Sequence, residues 1–259
     1  MFSPLAFLAL LLGALVGSFL NVVILRLPDE DASIVLPASH CPHCRTPLRW
    51  YENVPVFSFL FLGGRCRTCR AAISWQYPLV EAAMALLSLA LFRRFGLSPA
   101  FGIYFLFVAA LLVVIFIDLK HQLIPDRISL PGIAIGFAAS FVSPFVSWQD
   151  AGLGLLIGGG ILYGIALGYY LLTRRVGMGG GDIKLLAMIG AFLGWQSLPF
   201  VVFSSSVLGS LAGLGLMLKQ RQGGKTMIPY GPFLSVGALL YLFFREQILE
   251  LIVLWLRVA

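Results

Sequence analysis

Charge is what this chain has least of. Of its 259 residues only 11% are Asp, Glu, Lys or Arg, while 59% are hydrophobic, and the mean hydropathy is +0.95. Soluble domains carry about 25% charged residues, so that class is excluded and a polytopic membrane protein remains. A basic stretch ahead of the first apolar run is also missing, as is a small-residue cleavage site behind it. The first segment therefore reads as a retained helix and not as a cleavable signal. No internal repeat is visible, and no glycine-rich dinucleotide fingerprint occurs. Cysteine is scarce too: there are four, and all fall in one loop.

A bilayer crossing needs about 20 apolar residues. Segments of that kind lie near Leu5 to Leu25, Tyr77 to Phe92, Pro99 to Ile117, Ile128 to Val146, Ala151 to Thr173, Ile183 to Trp195, Leu198 to Leu218 and Ile228 to Phe244. The expected fold is an all-α polytopic membrane protein of about eight transmembrane helices, with an interfacial helix after Arg245. Its parts are a first helix (1–26), a cytoplasmic metal-binding loop domain (27–76) and a seven-helix membrane domain (77–259). Eight crossings place all but four of the 18 Lys and Arg on one side, leaving Arg93, Arg94, Arg245 and Arg257 on the other. Basic residues in short loops stay cytoplasmic, so both termini are expected outside and the first loop inside. The net charge of +7 follows from that topology, and nucleic acid is not an expected partner. The sixth segment is short, and is expected to cross by tilting or by local thinning of the bilayer.

Two aspartates sit where apolar segments meet polar loops. Asp118 closes the third segment, and Asp182 ends the run Gly177 Met178 Gly179 Gly180 Gly181 Asp182 before the sixth. Two crossings separate them, so they share one face and one depth. Carboxylates at a membrane edge are costly and point to function. A close pair cannot ionise twice at low cost, so it shares a proton: one member accepts from water while the other polarises a carbonyl. The glycines ahead of Asp182 are expected to let backbone approach a substrate strand, to adopt positive φ, or to serve only as a loop. Gly154, Gly158, Gly160, Gly164 and Gly168 recur on the fifth segment and are expected to allow close helix packing. Asp126, after Pro125, reads as the N-cap of the fourth helix, with substrate contact or support of the dyad as the alternatives. Lys120 and His121 read as solvated loop residues or as nearby cations that favour an ionised carboxylate.

Cys41, Cys44, Cys66 and Cys69 form two Cys-x-x-Cys pairs, with 21 residues between Cys44 and Cys66. In a reducing compartment that pattern reads as a tetrahedral zinc site. Four protein ligands leave no open position, so the metal is expected to fold the loop and not to catalyse. His40 and His43 stand outside the four-sulfur set. Glu81 is a candidate cofactor contact or, equally, an acidic residue in the first turn of the second helix. The acidic run Asp29 Glu30 Asp31 reads as a solvated loop or as a guide for a basic peptide.

The motifs Gly17 Ser18 Phe19 Leu20 Asn21 Val22 with Arg26 and Pro28, the cysteine pairs, and Glu52 Asn53 with Pro55 occur in order. They are followed by Gly64 Arg65 Cys66 Arg67, Tyr77 Pro78 with Glu81, Ile117 Asp118, Ile124 Pro125 Asp126, Gly179 to Asp182, and Pro229 Tyr230 Gly231 Pro232. On these the chain resembles the type IV prepilin peptidases, GxGD-type intramembrane aspartyl proteases of bacteria. The resemblance implies Asp118 and Asp182 as the catalytic pair and prepilins or pseudopilins as substrates in the inner membrane, cut after a basic leader. Since the cysteine loop is present, it also implies N-methylation of the new terminus with S-adenosylmethionine, at residues the sequence leaves unassigned. Two other readings stay open: a transporter using Asp118 and Asp182 as proton or ion relays, and a membrane scaffold whose loop binds partners.

Overall fold

The computed structural model describes residues 3–29, 31–143, 145–175, 179–220 and 228–258. Glu30, Gly177 and Met178, which belong to motifs named above, lie outside the described residues, as do Arg221 and Lys225. The chain divides into two compact units at Val113 and Val114.

The first unit is built on an antiparallel helix pair, α1 (Pro4–Arg26) and α3 (Gln76–Phe95). Ser3 caps α1 by accepting from the Ala6 amide at 3.2 Å, and Pro4 opens it. The pair is close because Gly13 and Gly17 carry no side chain. A Cβ on Gly13 would stand 2.6 Å from Met84 O, and one on Gly17 would stand 2.8 Å from Glu81 Cα. Polar side chains are satisfied across this contact. Ser88 Oγ donates to Ala9 O at 2.6 Å, and Asn21 Nδ2, 1% exposed, donates to Tyr77 O at 3.2 Å. The loop between the two helices leaves and returns at the same end of the pair; it holds a 3₁₀ turn (Trp50–Asn53) and the short helix α2 (Phe57–Phe61).

Helix α4 (Pro99–His121) runs from the first unit into the second. There α5 (Asp126–Ala139), α6 (Trp148–Thr173), α7 (Gly180–Leu193), α8 (Leu198–Gln220) and α9 (Gly231–Val258) follow. Every residue of α7 from Leu185 to Leu193 is buried, so α7 is the core of this unit. Glycines on its neighbours bring them in. Gly154 of α6 meets Gly190 backbone to backbone, a Cβ on Gly158 would stand 2.6 Å from Leu186 O, and Gly132 and Gly136 of α5 receive Met188 and Phe192. The rest of the expected glycine seam is not used, since a Cβ on Gly160, Gly164 or Gly168 would meet nothing within 4 Å. At the C-terminal end of α7, Asp150 Oδ1 accepts from Trp195 Nε1 and Gln196 Nε2, both at 2.9 Å.

Each of the eight expected segments coincides with a helix. Among the described residues five are long and apolar enough to cross a membrane: Pro4–Arg26, Pro99–His121, Trp148–Thr173, Trp195–Leu218 and Gly231–Leu251. Helices α5 and α7 have 14 residues each, about 21 Å against a hydrocarbon core of about 30 Å. Helix α5 stops at Ala139, short of the expected Val146. Ser140 Oγ donates to Phe137 O at 2.6 Å and ends the ladder there. At Phe244, with φ of −118° and ψ of 23°, α9 kinks, and the helical segment beyond the kink coincides with the helix expected after Arg245.

Candidate active site and metal centre

Asp118 lies in the last turn of α4 and is 4% exposed. Its Oδ2 accepts from the backbone amide of Gly231 at 3.0 Å. Gly231 is the first residue of α9, where helical amides have no partner of their own, so a carboxylate finds both a donor and the positive end of a helix there. The site requires glycine: a Cβ on residue 231 would stand 2.7 Å from Asp118 Oδ2 and 3.0 Å from Ile124 Cδ1. Tyr230 anchors the same turn, its hydroxyl 2.7 Å from Ser205 Oγ and 3.3 Å from Ser206 Oγ on α8.

Asp182 lies in the first turn of α7, half-buried, within electrostatic reach of Asp118. Ile124 connects their surroundings. It touches the Gly231 position on one side, and on the other a Cβ on Gly181 would stand 2.9 Å from its own Cβ. The fold therefore brings together the two aspartates that sequence singled out. Gly231 and Ile124 stood among the sequence motifs without a role; the one available signal was a glycine between two prolines, Pro229 Tyr230 Gly231 Pro232. Of the expectations for the glycines before Asp182, positive φ is not met at the described ones. None of Gly179, Gly180 or Gly181 has positive φ; Gly181 serves packing, while a Cβ on Gly180 would meet open space.

Asp126 is not an N-cap. Pro125 holds that position, and Asp126 stands in the first turn of α5, where both its oxygens accept from Lys184 Nζ at 2.7 Å. The pair is exposed, 55% for Asp126 and 38% for Lys184. Lys120 and His121 are exposed, as expected.

In the first unit the four sulfurs lie within 4.8 Å of one another. Cys41 and Cys69 are 3.8 Å apart, and Cys44 and Cys66 are 3.9 Å apart. A tetrahedral ion with metal–sulfur bonds of about 2.3 Å has sulfur–sulfur edges of about 3.8 Å, so the four thiols fit zinc. The two Cys-x-x-Cys turns are built alike. Arg45 N donates to Cys41 O and Arg70 N to Cys66 O, and both arginines take positive φ, 56° and 60°. The Thr46 hydroxyl and amide beside Cys44 bring its thiol down to about 6. Backbone amides of Cys69 and Thr68 lower Cys66. At Cys69 the Ala71 amide pulls downward, but burial and the neighbouring sulfurs prevail and lift it to about 11. Thiols this crowded cannot all be thiolates without a cation among them.

Glu52 ties the second Cys-x-x-Cys turn to the 3₁₀ turn (Trp50–Asn53). Its Oε1 pairs with Arg67 Nε at 2.8 Å, and its Oε2 accepts from Arg49 N at 2.8 Å. His40 Nδ1 is 2.9 Å from Ala38 O, and His43 is exposed. Glu81 is 7% exposed and lies beyond the first turn of α3; its Oε2 accepts from Val56 N at 2.6 Å, which ties the loop to the helix pair.

Comparison with known proteins matches residues 11–95 to the Bacterial Peptidase A24 N-terminal domain and residues 105–214 to the Type IV leader peptidase family. The prepilin leader peptidase/N-methyltransferase of Stutzerimonas stutzeri is 41% identical, across 95% of this chain and 93% of that protein. Those of Pseudomonas aeruginosa and Aeromonas hydrophila are each 39% identical, across 95% and 93% of this chain and 93% and 91% of theirs. None of these three relatives bears a transporter's name. No solved structure matches the chain.

Proposed function

The chain belongs to the type IV leader peptidase family, and from that premise we propose that it cleaves the basic leader from type IV prepilins or pseudopilins and methylates the new N-terminus. The proteolytic centre is the pair Asp118 and Asp182. The observation that carries this is the buried Asp118 carboxylate, fixed by the Gly231 amide in the same neighbourhood as Asp182.

In the mechanism, one aspartate is ionised and the other holds the shared proton. The ionised carboxylate takes a proton from water as its oxygen attacks the scissile carbonyl. The protonated partner donates to the carbonyl oxygen, and collapse of the tetrahedral intermediate returns a proton to the leaving amine. The Gly231 amide orients Asp118 Oδ2, and the single proton belongs to the pair.

Eight crossings of the bacterial inner membrane, with termini outside, put both aspartates at the cytoplasmic edge, where a leader meets its hydrophobic helix. Helices α3, α5 and α7 complete the eight. Cys41, Cys44, Cys66 and Cys69 would hold a structural zinc that folds the loop. S-adenosylmethionine would supply the methyl group. Glu81 Oε2 already accepts from Val56 N, which gives that side chain a structural role in the loop.

The test is mass spectrometry of a prepilin incubated with purified protein and S-adenosylmethionine, beside Asp118→Asn and Asp182→Asn. Loss of a short leader with the native protein alone, and a methyl on the new amine, is the expected result. Cleavage by either variant at the native rate would overturn the dyad.

A further inference from the structure

The five-residue helix α2 presents its apolar side chains outward. Phe59 alone turns in, 9% exposed, with its ring 4.8 Å from that of Trp75. Phe57, Leu60 and Phe61 stand at i, i+3 and i+4 on one face and are 58%, 63% and 87% exposed. Trp75 is itself 69% exposed. A contiguous patch of this kind on a small loop domain marks an interaction surface.

Its position identifies the occupant. The loop leaves α1 after Arg26 and returns at Gln76, both at one end of the antiparallel pair. Helix α1 is long and apolar enough to cross a bilayer, so that end of the pair stands at a membrane surface. Trp75 directly precedes α3, and its contact with Phe59 holds α2 at the level where α3 begins. Charge agrees with this. The part of the loop that carries α2, from residue 38 to residue 75, has five arginines and one acidic residue, Glu52, which is engaged with Arg67; the acidic run Asp29 Glu30 Asp31 lies in the other part, next to α1 in sequence. Arg45, Arg49, Arg65 and Arg70 are exposed.

We propose that the Phe57, Leu60 and Phe61 face of α2, with Trp75, inserts into the boundary between headgroups and acyl chains, laying the four-cysteine loop against an anionic bilayer surface. Aromatic side chains favour that depth, and flanking arginines reach phosphates while their stems cover apolar surface. The proposal rests on the crossing of α1, and it does not depend on which residues catalyse.

The experiment uses the full-length, metal-loaded protein in vesicles of phosphatidylethanolamine and phosphatidylglycerol. A fraction of the lipid carries a photoactivatable diazirine at a shallow acyl carbon, and labelled peptides are read by mass spectrometry. Residues 57–61 and Trp75 should be labelled severalfold above residues 38–45. In F57S/L60S/F61S that labelling should fall to the level of residues 38–45, while α1 stays labelled and the metal content is unchanged. An unlabelled α2 beside a labelled α1 overturns the proposal. So does α2 labelling that excess prepilin abolishes, which would assign the face to the substrate helix. Asp118→Asn should label as the native protein does, so this outcome is independent of the outcome for proteolysis.

Discussion

The amide of Gly231 reaches the Asp118 carboxylate at 3.0 Å across 113 residues of chain. It joins the last turn of α4 to the first residue of α9, with Ile124 packed beside both. A group held this way is oriented before substrate arrives.

Gly231→Ala would place a methyl 2.7 Å from Asp118 Oδ2 and turn that carboxylate away from the amide. Since misplacing a reacting group by about 1 Å can cost on the order of 100-fold, kcat for prepilin cleavage should fall at least 10-fold, with KM little changed. Initial rates over a range of prepilin concentrations check this. A native kcat in a folded G231A protein would show that the amide does not position the dyad.

Asp126 and Lys184 should matter little to chemistry. Their ion pair is exposed, and such pairs contribute about 0–1 kcal/mol. D126N and K184M should each keep the cleavage rate within about threefold, with at most a small drop in thermal unfolding temperature. A thousandfold loss in D126N would make that carboxylate a member of the site.

The loop should depend on metal. Protein purified without chelator should hold one zinc per chain by elemental analysis. Cys69→Ser should lower that content, and residues 38–75 should become sensitive to protease, because a structural zinc supplies much of such a loop's folding energy. A protease-resistant loop in metal-free protein would mean that the contacts of Glu52 and Glu81 suffice.

Two glycines of the same helix should respond oppositely. Gly158→Ala presses a methyl against Leu186 O and should destabilise by about 1–3 kcal/mol. Gly164→Ala meets nothing and should be neutral or stabilising by up to about 1 kcal/mol, the helix propensity gained. Thermal unfolding in detergent separates them. Equal effects would mean that α6 packs by a seam other than the one seen.

Sequence by itself determined the membrane class, the positions of the helical segments, the two aspartates and the four cysteines. Each of these is written in local pattern: apolar run length, or the spacing of a residue type whose chemistry is costly to leave unpartnered. Tertiary structure decided the rest. That Gly231 serves Asp118, that Glu81 ties down Val56, and that Asp126 pairs with Lys184 instead of capping α5 all depend on contacts between distant parts of the chain. Periodicity cannot distinguish Gly158 from Gly164, because both repeat at four residues; only the presence of α7 against one and nothing against the other gives them different roles.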